Sequence, residues 1–181
     1  MRARFLAVAL LLCGACAAST TDVATTAKTY TGTYSAQVVE STVSTSLTGG
    51  GTFPCTNTYT MAGTMTMTID QVSGAMVGSA QIAGMQTETA HSSAASCAAK
   101  GNLATSWAPK LTGTTADIHF DDQSVATNAG YAVTSKTSFA GTLSGGVVSG
   151  VLGFSVAGSG TLGGVTSVVQ SYSSTMNVTL R

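Results

Sequence analysis

Apolar and polar residues alternate along nearly the whole chain from residue 28 to its end. Side chains of a β-strand point alternately to opposite faces, so this period of two predicts long strands with one buried face. Similar runs recur, and we predict an all-β domain of seven or eight antiparallel strands over residues 28–181. The clearest run has an apolar face made of Tyr59, Met61, Gly63, Met65, Met67 and Ile69.

Long strands of this kind must bury their apolar face and protect their edges. Closing the sheet into an up-and-down β-barrel does both, because a closed sheet has no free edge strand. A β-sandwich of two packed sheets is the alternative. The barrel predicts that the first and last strands pair with each other, with residues near 30 opposite residues near 175.

Two short connections set strand registers. Gly145-Gly146 predicts a two-residue hairpin turn, because such turns need positive φ at both central residues. Residues 71–74 are predicted to form a second, four-residue turn. The predicted partners are Leu143 with Val148 in the first hairpin and Ile69 with Met76 in the second. Residues 85–110 lack alternation, and we predict a loop there with one short helix over residues 92–100.

The first residues have the composition of an export signal: a basic start, a short apolar run over residues 5–12 and a small-residue region over 13–18. The apolar run is too short to span a bilayer, which takes about 20 residues. Gly14-Ala15-Cys16 resembles a bacterial lipobox, although Cys13 stands where leucine is usual. We therefore expect residues 1–15 to be a lipoprotein signal peptide, Cys16 to be lipidated and residues 16–27 to be a flexible tether. Ordinary cleavage and secretion is the alternative.

Four cysteines are present. Cleavage before Cys16 removes Cys13, and lipidation uses Cys16, so Cys55 and Cys97 remain in the domain. Exported proteins meet an oxidising compartment, and we therefore predict a Cys55–Cys97 disulfide. Two buried, reduced thiols are the alternative.

The inward face is rich in methionine and in small residues. Eight-stranded barrels are wide enough either to be filled by side chains or to hold one small ligand. A filled core and a lipophilic cavity with polar groups both fit this composition. The candidate cavity residues are Tyr30, Tyr34, Met65, Met67, Tyr131, Phe154, Gln170 and Tyr172.

Residues 117–122 form the densest group of ionisable side chains. Asp117, His119 and Asp121 share one strand face, where alternate positions can coordinate a metal. No second histidine follows nearby, and the outward face of a strand is an ordinary place for charges. We expect a solvated polar face here and treat these three residues as weak metal candidates only.

Two broad functions are not expected. Seven basic and seven acidic residues give no net charge, which argues against nucleic-acid binding. Gly158–Gly163 matches G-x-G-x-x-G, and Gly153–Ala157 is similar to a nucleophile elbow. Both motifs need a following helix, and both lie here in strand-like alternation. We expect no enzyme activity and no cofactor.

The strand plan resembles calycin-type barrels, the lipocalins and avidins. Tyr30-Thr31-Gly32-Thr33-Tyr34 is similar to the G-x-W/Y opening of their first strand, and residues 73–78 are similar to their hairpin turn. The resemblance implies a lipocalin-like barrel. The tryptophan-lined pocket of avidins is absent, so biotin binding is not implied.

The sequence therefore predicts an exported protein of the bacterial cell envelope, an outer-membrane lipoprotein held by its lipid anchor, with a secreted or periplasmic protein as the alternative. Its barrel is expected to bind a small apolar ligand. The second hypothesis is a non-catalytic structural or interaction protein with a filled barrel.

Overall fold

The computed structural model describes residues 27–46, 51–72, 75–93, 97, 99, 101–128, 130–162 and 165–181. The expected signal peptide over 1–15, the lipidated Cys16 and nearly all of the tether lie outside the described residues, as does most of the helix expected over 92–100. The described part of the chain contains no helix that is long and apolar enough to cross a membrane.

The described residues form nine β-strands in one antiparallel sheet. Hydrogen bonds ring through eight of them in the order β2, β1, β9, β8, β7, β6, β5, β3 and back to β2. The all-β prediction is confirmed, and the strands belong to one sheet instead of two. The strands are β1 Lys28–Ser46, β2 Thr52–Val72, β3 Ala75–His91, β4 Leu103–Trp107, β5 Lys110–Thr114, β6 Asp117–Asn128, β7 Tyr131–Ser144, β8 Val147–Leu162 and β9 Val165–Leu180.

The β7–β8 hairpin has the predicted register. Gly145 and Gly146 have φ values of 57° and 76°, and Leu143 lies opposite Val148. Glycine adopts positive φ without the steric cost that other residues bear. The turn residues therefore set this register directly.

The register predicted for the β2–β3 hairpin is wrong by two residues. Ile69 lies opposite Gly78 instead of Met76, because only two residues separate Val72 from its partner Ala75. A shift of two residues keeps every side chain on its original face, since the strand period is also two. The alternation pattern therefore cannot distinguish the two registers.

The segment from residue 85 to 110 contains strand, contrary to the predicted loop. β3 continues to His91, and β4 and β5 both pair with the same edge of β3. Ile82 lies opposite Trp107 and Met76 opposite Gly113, so the two short strands share one register. Pro109 separates them, since its nitrogen carries no hydrogen to donate. Some inward positions of β3 carry polar residues, and β4 is only five residues long. The alternation of apolar and polar residues is therefore hard to recognise in this part of the sequence.

One end of the ring is filled by side chains. We call this the packed end; its buried residues include Met65, Met67, Ile69, Met76, Ile118, Val148, Leu152, Val178 and Leu180. Protein interiors are close-packed and contain few voids larger than a water molecule. The opposite end, where β1 reaches Glu40 and β2 reaches Asn57, contains the cavity described next.

Candidate functional site

A cavity of about 310 Å³ lies at the end of the ring opposite the packed end. Small-molecule sites span about 300–1,000 Å³, so this volume suits a small ligand. Its apolar wall includes Val133 and Val156, and Leu103 stands at the rim with 61% of its surface exposed. The polar and aromatic lining residues are Glu40, Tyr59, Gln86, Asn102, Thr105, Trp107, Ser135 and Tyr172.

The cavity lies beside a gap in the sheet. β5 pairs with β6 only through residues 112–114 and 117–119. Farther along, β4 pairs with β3 and β6 pairs with β7, and among the described residues no strand pairing joins β4 to β6. Ser124 pairs with the lining residue Ser135, so both side chains point to the same face of the sheet. Ser124 is nevertheless exposed to solvent. The interior therefore opens sideways between β4 and β6.

The lining residue Trp107 packs against the aromatic part of the buried core. The ring centroid of Trp107 lies 4.8 Å from that of Phe154, which lies 5.7 Å from Tyr34. Tilted aromatic pairs at these separations are favourable beyond the area they bury. Burial raises the pKa of Tyr34, and the nearby Thr105 side chain partly offsets that rise. Trp107 therefore connects the cavity lining to the buried core.

Glu40 places a carboxyl group in the cavity wall, although only 2% of its surface is exposed. Strand alternation brings it inward, because it has the same parity as the buried Tyr34 and Val38. The Thr42 hydroxyl donates to its Oε1 at 3.3 Å. A buried carboxylate carries a desolvation penalty that nearby polar groups must offset.

A second carboxylate, Glu88, fixes the cavity rim. Its Oε1 accepts a hydrogen bond from Asn57 Nδ2 at 2.8 Å, and its Oε2 accepts one from the Gly101 amide at 3.0 Å. The His91 Nδ1 lies 3.3 Å from Oε1. The segment that leads into β4 is thereby attached to β2 and β3.

A disulfide joins the same region. Cys55 and Cys97 are bonded, with their Cα atoms 5.2 Å apart, so the predicted pairing is confirmed. That separation lies within the usual range for disulfides. The bond attaches the segment before β4 to β2, next to the Glu88 contacts.

Two tyrosines of the cavity wall remain protonated well above neutral pH. Burial, followed by the nearby Glu40 charge, raises the pKa of Tyr172 to about 12. Burial also raises the pKa of Tyr59, with smaller contributions from Glu40 and Glu88. The Tyr172 hydroxyl donates to Gln86 Oε1 at 3.5 Å. These groups are therefore neutral hydroxyls in the cavity wall.

The predicted cavity residues separate into two groups. Tyr172 lines the cavity, whereas Tyr30, Tyr34, Met65, Met67 and Phe154 belong to the buried core. The side chains of Tyr131 and Gln170 lie outside the described part of the structure, although both residues belong to described strands.

Sequence reasoning missed Glu40, Tyr59, Gln86 and Trp107 as cavity residues. Glu40 and Gln86 continue the inward parity of their strands, and a polar residue at an inward position was the available signal. Trp107 was expected in a loop, and its place in β4 became apparent only from its pairing with Ile82.

The weak metal candidates lie on an exposed surface. His119 Nδ1 lies 3.3 Å from Asp117 Oδ1, and its Nε2 lies 3.4 Å from the Thr112 hydroxyl. Across the described residues, no group of three or more histidine, cysteine, aspartate or glutamate side chains is arranged to hold a metal. Asp121 lies near a shallow surface depression on β7 and β8.

No known family model matches the chain, and a search of curated proteins found no matching relative.

Proposed function

We propose that this protein is an exported binding protein of the bacterial cell envelope, with a lipocalin-like closed barrel that takes one small ligand with an apolar body. The observation that carries the proposal is the cavity of about 310 Å³, which is lined by the rings of Tyr59, Trp107 and Tyr172, by the apolar side chains of Val133 and Val156 and by several polar side chains. Ligand sites typically combine apolar walls with a small number of placed polar groups. The gap between β4 and β6 gives a ligand a route inward.

The envelope location rests on the signal sequence and the disulfide. A Cys55–Cys97 bond is consistent with an oxidising compartment outside the cytoplasm. We propose Cys16 as the lipid attachment site and the membrane as the partner of that anchor. Cys16→Ser should abolish incorporation of a palmitate analogue and release the protein from membranes; labelling that survives the change contradicts the anchor.

Ligand binding can be measured through Trp107, the only tryptophan in the chain. A neutral dye such as N-phenyl-1-naphthylamine should quench its emission with a dissociation constant of about micromolar, which corresponds to roughly 8 kcal/mol. Trp107→Phe should remove the tryptophan signal and keep the dye's own emission increase.

Two substitutions at neighbouring positions of β8 test whether the dye binds inside the cavity. Val156 lines the cavity, whereas Ala157 is exposed on the outer face. Val156→Phe should fill the cavity and abolish binding, while Ala157→Phe adds the same ring outside and should leave binding intact. Equal binding by both variants, or none by the unmodified protein, contradicts the proposal.

The second candidate is a non-catalytic structural or interaction protein of the envelope. The packed end favours it, because Met65, Met67 and Leu152 are fully buried and leave no space there. Absence of dye binding in an otherwise folded protein would support this candidate.

A further inference from the structure

We infer that the ligand of the cavity carries a carbonyl group, as in a ketone, an ester or an amide, on its apolar body. The inference rests on the proposed binding function and specifies the ligand's polar group. It follows from Tyr59 and Gln86, two buried side chains of the cavity wall whose hydrogen-bond donors have no partner in the described part of the chain.

The Tyr59 hydroxyl is the first of these donors. Tyr59 lines the cavity, and only 2% of its surface is exposed. The hydroxyls that are fully enclosed and lack a partner belong to Tyr34, Thr105 and Thr137. The Tyr59 hydroxyl is not enclosed in this way, and no described residue forms a hydrogen bond with it, so it borders the cavity. Burial, followed by the Glu40 charge, raises the pKa of Tyr59, so the hydroxyl keeps its proton near neutral pH.

The side-chain amide of Gln86 supplies the second donor. Gln86 lines the same cavity and is 4% exposed. Its Oε1 accepts a hydrogen bond from the Tyr172 hydroxyl at 3.5 Å, and its Nε2 has no partner among the described residues. An amide nitrogen offers two donors and no acceptor. A buried donor without a hydrogen bond carries a desolvation cost, which an acceptor on the ligand would remove.

Strand pairing places the two donors beside each other. Tyr59 of β2 lies opposite Glu88, and Met61, two residues farther along β2, lies opposite Gln86. Tyr59 and Gln86 are therefore diagonal neighbours on the inner face, where aromatic and long side chains reach each other. A carbonyl oxygen has two lone pairs, so a single carbonyl can accept hydrogen bonds from both.

Acceptors in this wall are already in use. Glu40 Oε1 accepts a hydrogen bond from the Thr42 hydroxyl at 3.3 Å, and Gln86 Oε1 accepts one from Tyr172. A ligand group that only donates would compete with these hydrogen bonds, whereas a carbonyl would use donors that have no other partner. The apolar body would then contact Trp107 in the same lining.

Two naphthalene dyes of nearly equal size test the carbonyl. Prodan, 6-propionyl-2-(dimethylamino)naphthalene, carries a ketone, and N-phenyl-1-naphthylamine carries no carbonyl. The protein is titrated with each dye at pH 7.5 and the dye's own emission is followed. Prodan emits at longer wavelength when its carbonyl accepts hydrogen bonds, so the bound dye should emit at longer wavelength than it does in an apolar aprotic solvent.

Tyr59→Phe removes one donor and keeps the ring. Prodan should lose about five- to tenfold in affinity, as expected for one neutral hydrogen bond, and N-phenyl-1-naphthylamine should change less than about twofold. The emission of bound Prodan should also move to shorter wavelength. Gln86→Leu removes the other donor at similar size and should act in the same direction. Tyr34→Phe is the matched control, because it removes a hydroxyl that is enclosed in the core, and it should leave both affinities unchanged.

The outcomes distinguish this inference from the function beneath it. A loss of Prodan affinity in either donor variant, with the second dye unaffected, supports the carbonyl. If N-phenyl-1-naphthylamine binds and Prodan does not, or if both donor variants leave the affinity and emission of Prodan unchanged, the carbonyl inference is wrong and the binding function stands. If neither dye binds the unmodified protein, both proposals are wrong.

The unmodified protein decides the matter even if neither donor variant folds. The infrared stretching frequency of the carbonyl of bound Prodan should be lower than in an aprotic solvent, because hydrogen bonds weaken the carbonyl bond. An unshifted frequency overturns the inference.

Discussion

Thr31 and Arg181 exchange two backbone hydrogen bonds, with N–O distances of 2.9 and 3.0 Å, and thereby join the first strand to the last residue of the chain. Farther along, residues 41–45 of β1 pair with residues 167–171 of β9. The predicted pairing of the terminal strands is confirmed, with the partners of β1 displaced from those expected: Thr31 meets residue 181 instead of a residue near 175. Ring closure therefore depends on the final residues of the chain.

Leu180→Ala should destabilise the protein by about 2–5 kcal/mol, because Leu180 is fully buried where the ring closes. Loss of a buried leucine removes transfer free energy and leaves a cavity. Thr179→Ala is the control: its side chain is exposed, so its effect should stay within about 0.5 kcal/mol. Urea unfolding measures both, and equal midpoints would show that the C-terminal residues do not support the ring.

How far the fold could be predicted depended on whether local chemistry or long-range pairing decided each feature. Gly145 and Gly146 determine their turn through backbone preference alone, and the register followed correctly. The β2–β3 register was missed because a two-residue slip preserves both faces. β4 was missed because five residues give too short a pattern, and within the described part of the chain it pairs only with β3.

The candidate site was harder to predict than the fold. Alternation identifies which residues point inward, and it placed Tyr34, Met65 and Tyr172 on that face. It does not say which inward residues pack together and which border empty volume, since that depends on the strand stagger around the ring. Glu40 shows the difference: its inward parity was visible in the sequence, whereas its place beside Tyr172 and Trp107 required the structure.

Substitutions at position 145 distinguish the energetic cost of backbone strain from the cost of steric contact. A Cβ added to Gly145 would meet nothing within 4 Å, and its φ is 57°. Gly145→Val should therefore cost about 1–2 kcal/mol through the left-handed backbone alone. Gly145→Asn should cost less than about 0.5 kcal/mol, because asparagine tolerates this region. Thermal or urea unfolding compares the two; equal losses would mean that side-chain contact, and not backbone conformation, sets the cost.

Removing the disulfide with Cys55→Ala and Cys97→Ala together should lower the free energy of unfolding by roughly 4 kcal/mol. The bond closes a loop with a sequence separation of 42, so it restricts the unfolded chain substantially. Reductant should destabilise the unmodified protein by a similar amount and leave the double variant unaffected.

Amide hydrogen exchange can show which strands the disulfide stabilises. The bond and the Glu88–Gly101 contact both attach the segment before β4. Exchange in β4 should therefore accelerate in the double variant more than exchange in β8, which lies across the ring. A uniform change across both strands would mean that the bond does not specifically support the cavity rim.

Stability should fall between about pH 10 and pH 12 because of the cavity tyrosines. Tyr172 has a pKa of about 12 in the folded protein, against 10.0 for an ordinary tyrosine, and the first cause is burial. The unfolded chain therefore loses this proton at lower pH than the folded protein does. The contribution to stability is complete below pH 10 and is lost as the pH rises through 12.

Tyr172→Phe tests this pH dependence directly. The variant cannot ionise at this position, so its urea midpoint should fall less steeply between pH 10 and pH 12 than that of the unmodified protein. Glu40→Gln should act in the same direction by a smaller amount, because the Glu40 charge is the second cause of the raised pKa. Tyrosinate absorbance near 295 nm should show one fewer late-titrating group in Tyr172→Phe. If the slopes of the three proteins coincide, Tyr172 ionises alike in the folded and unfolded states, and the cavity wall is more hydrated than its burial indicates.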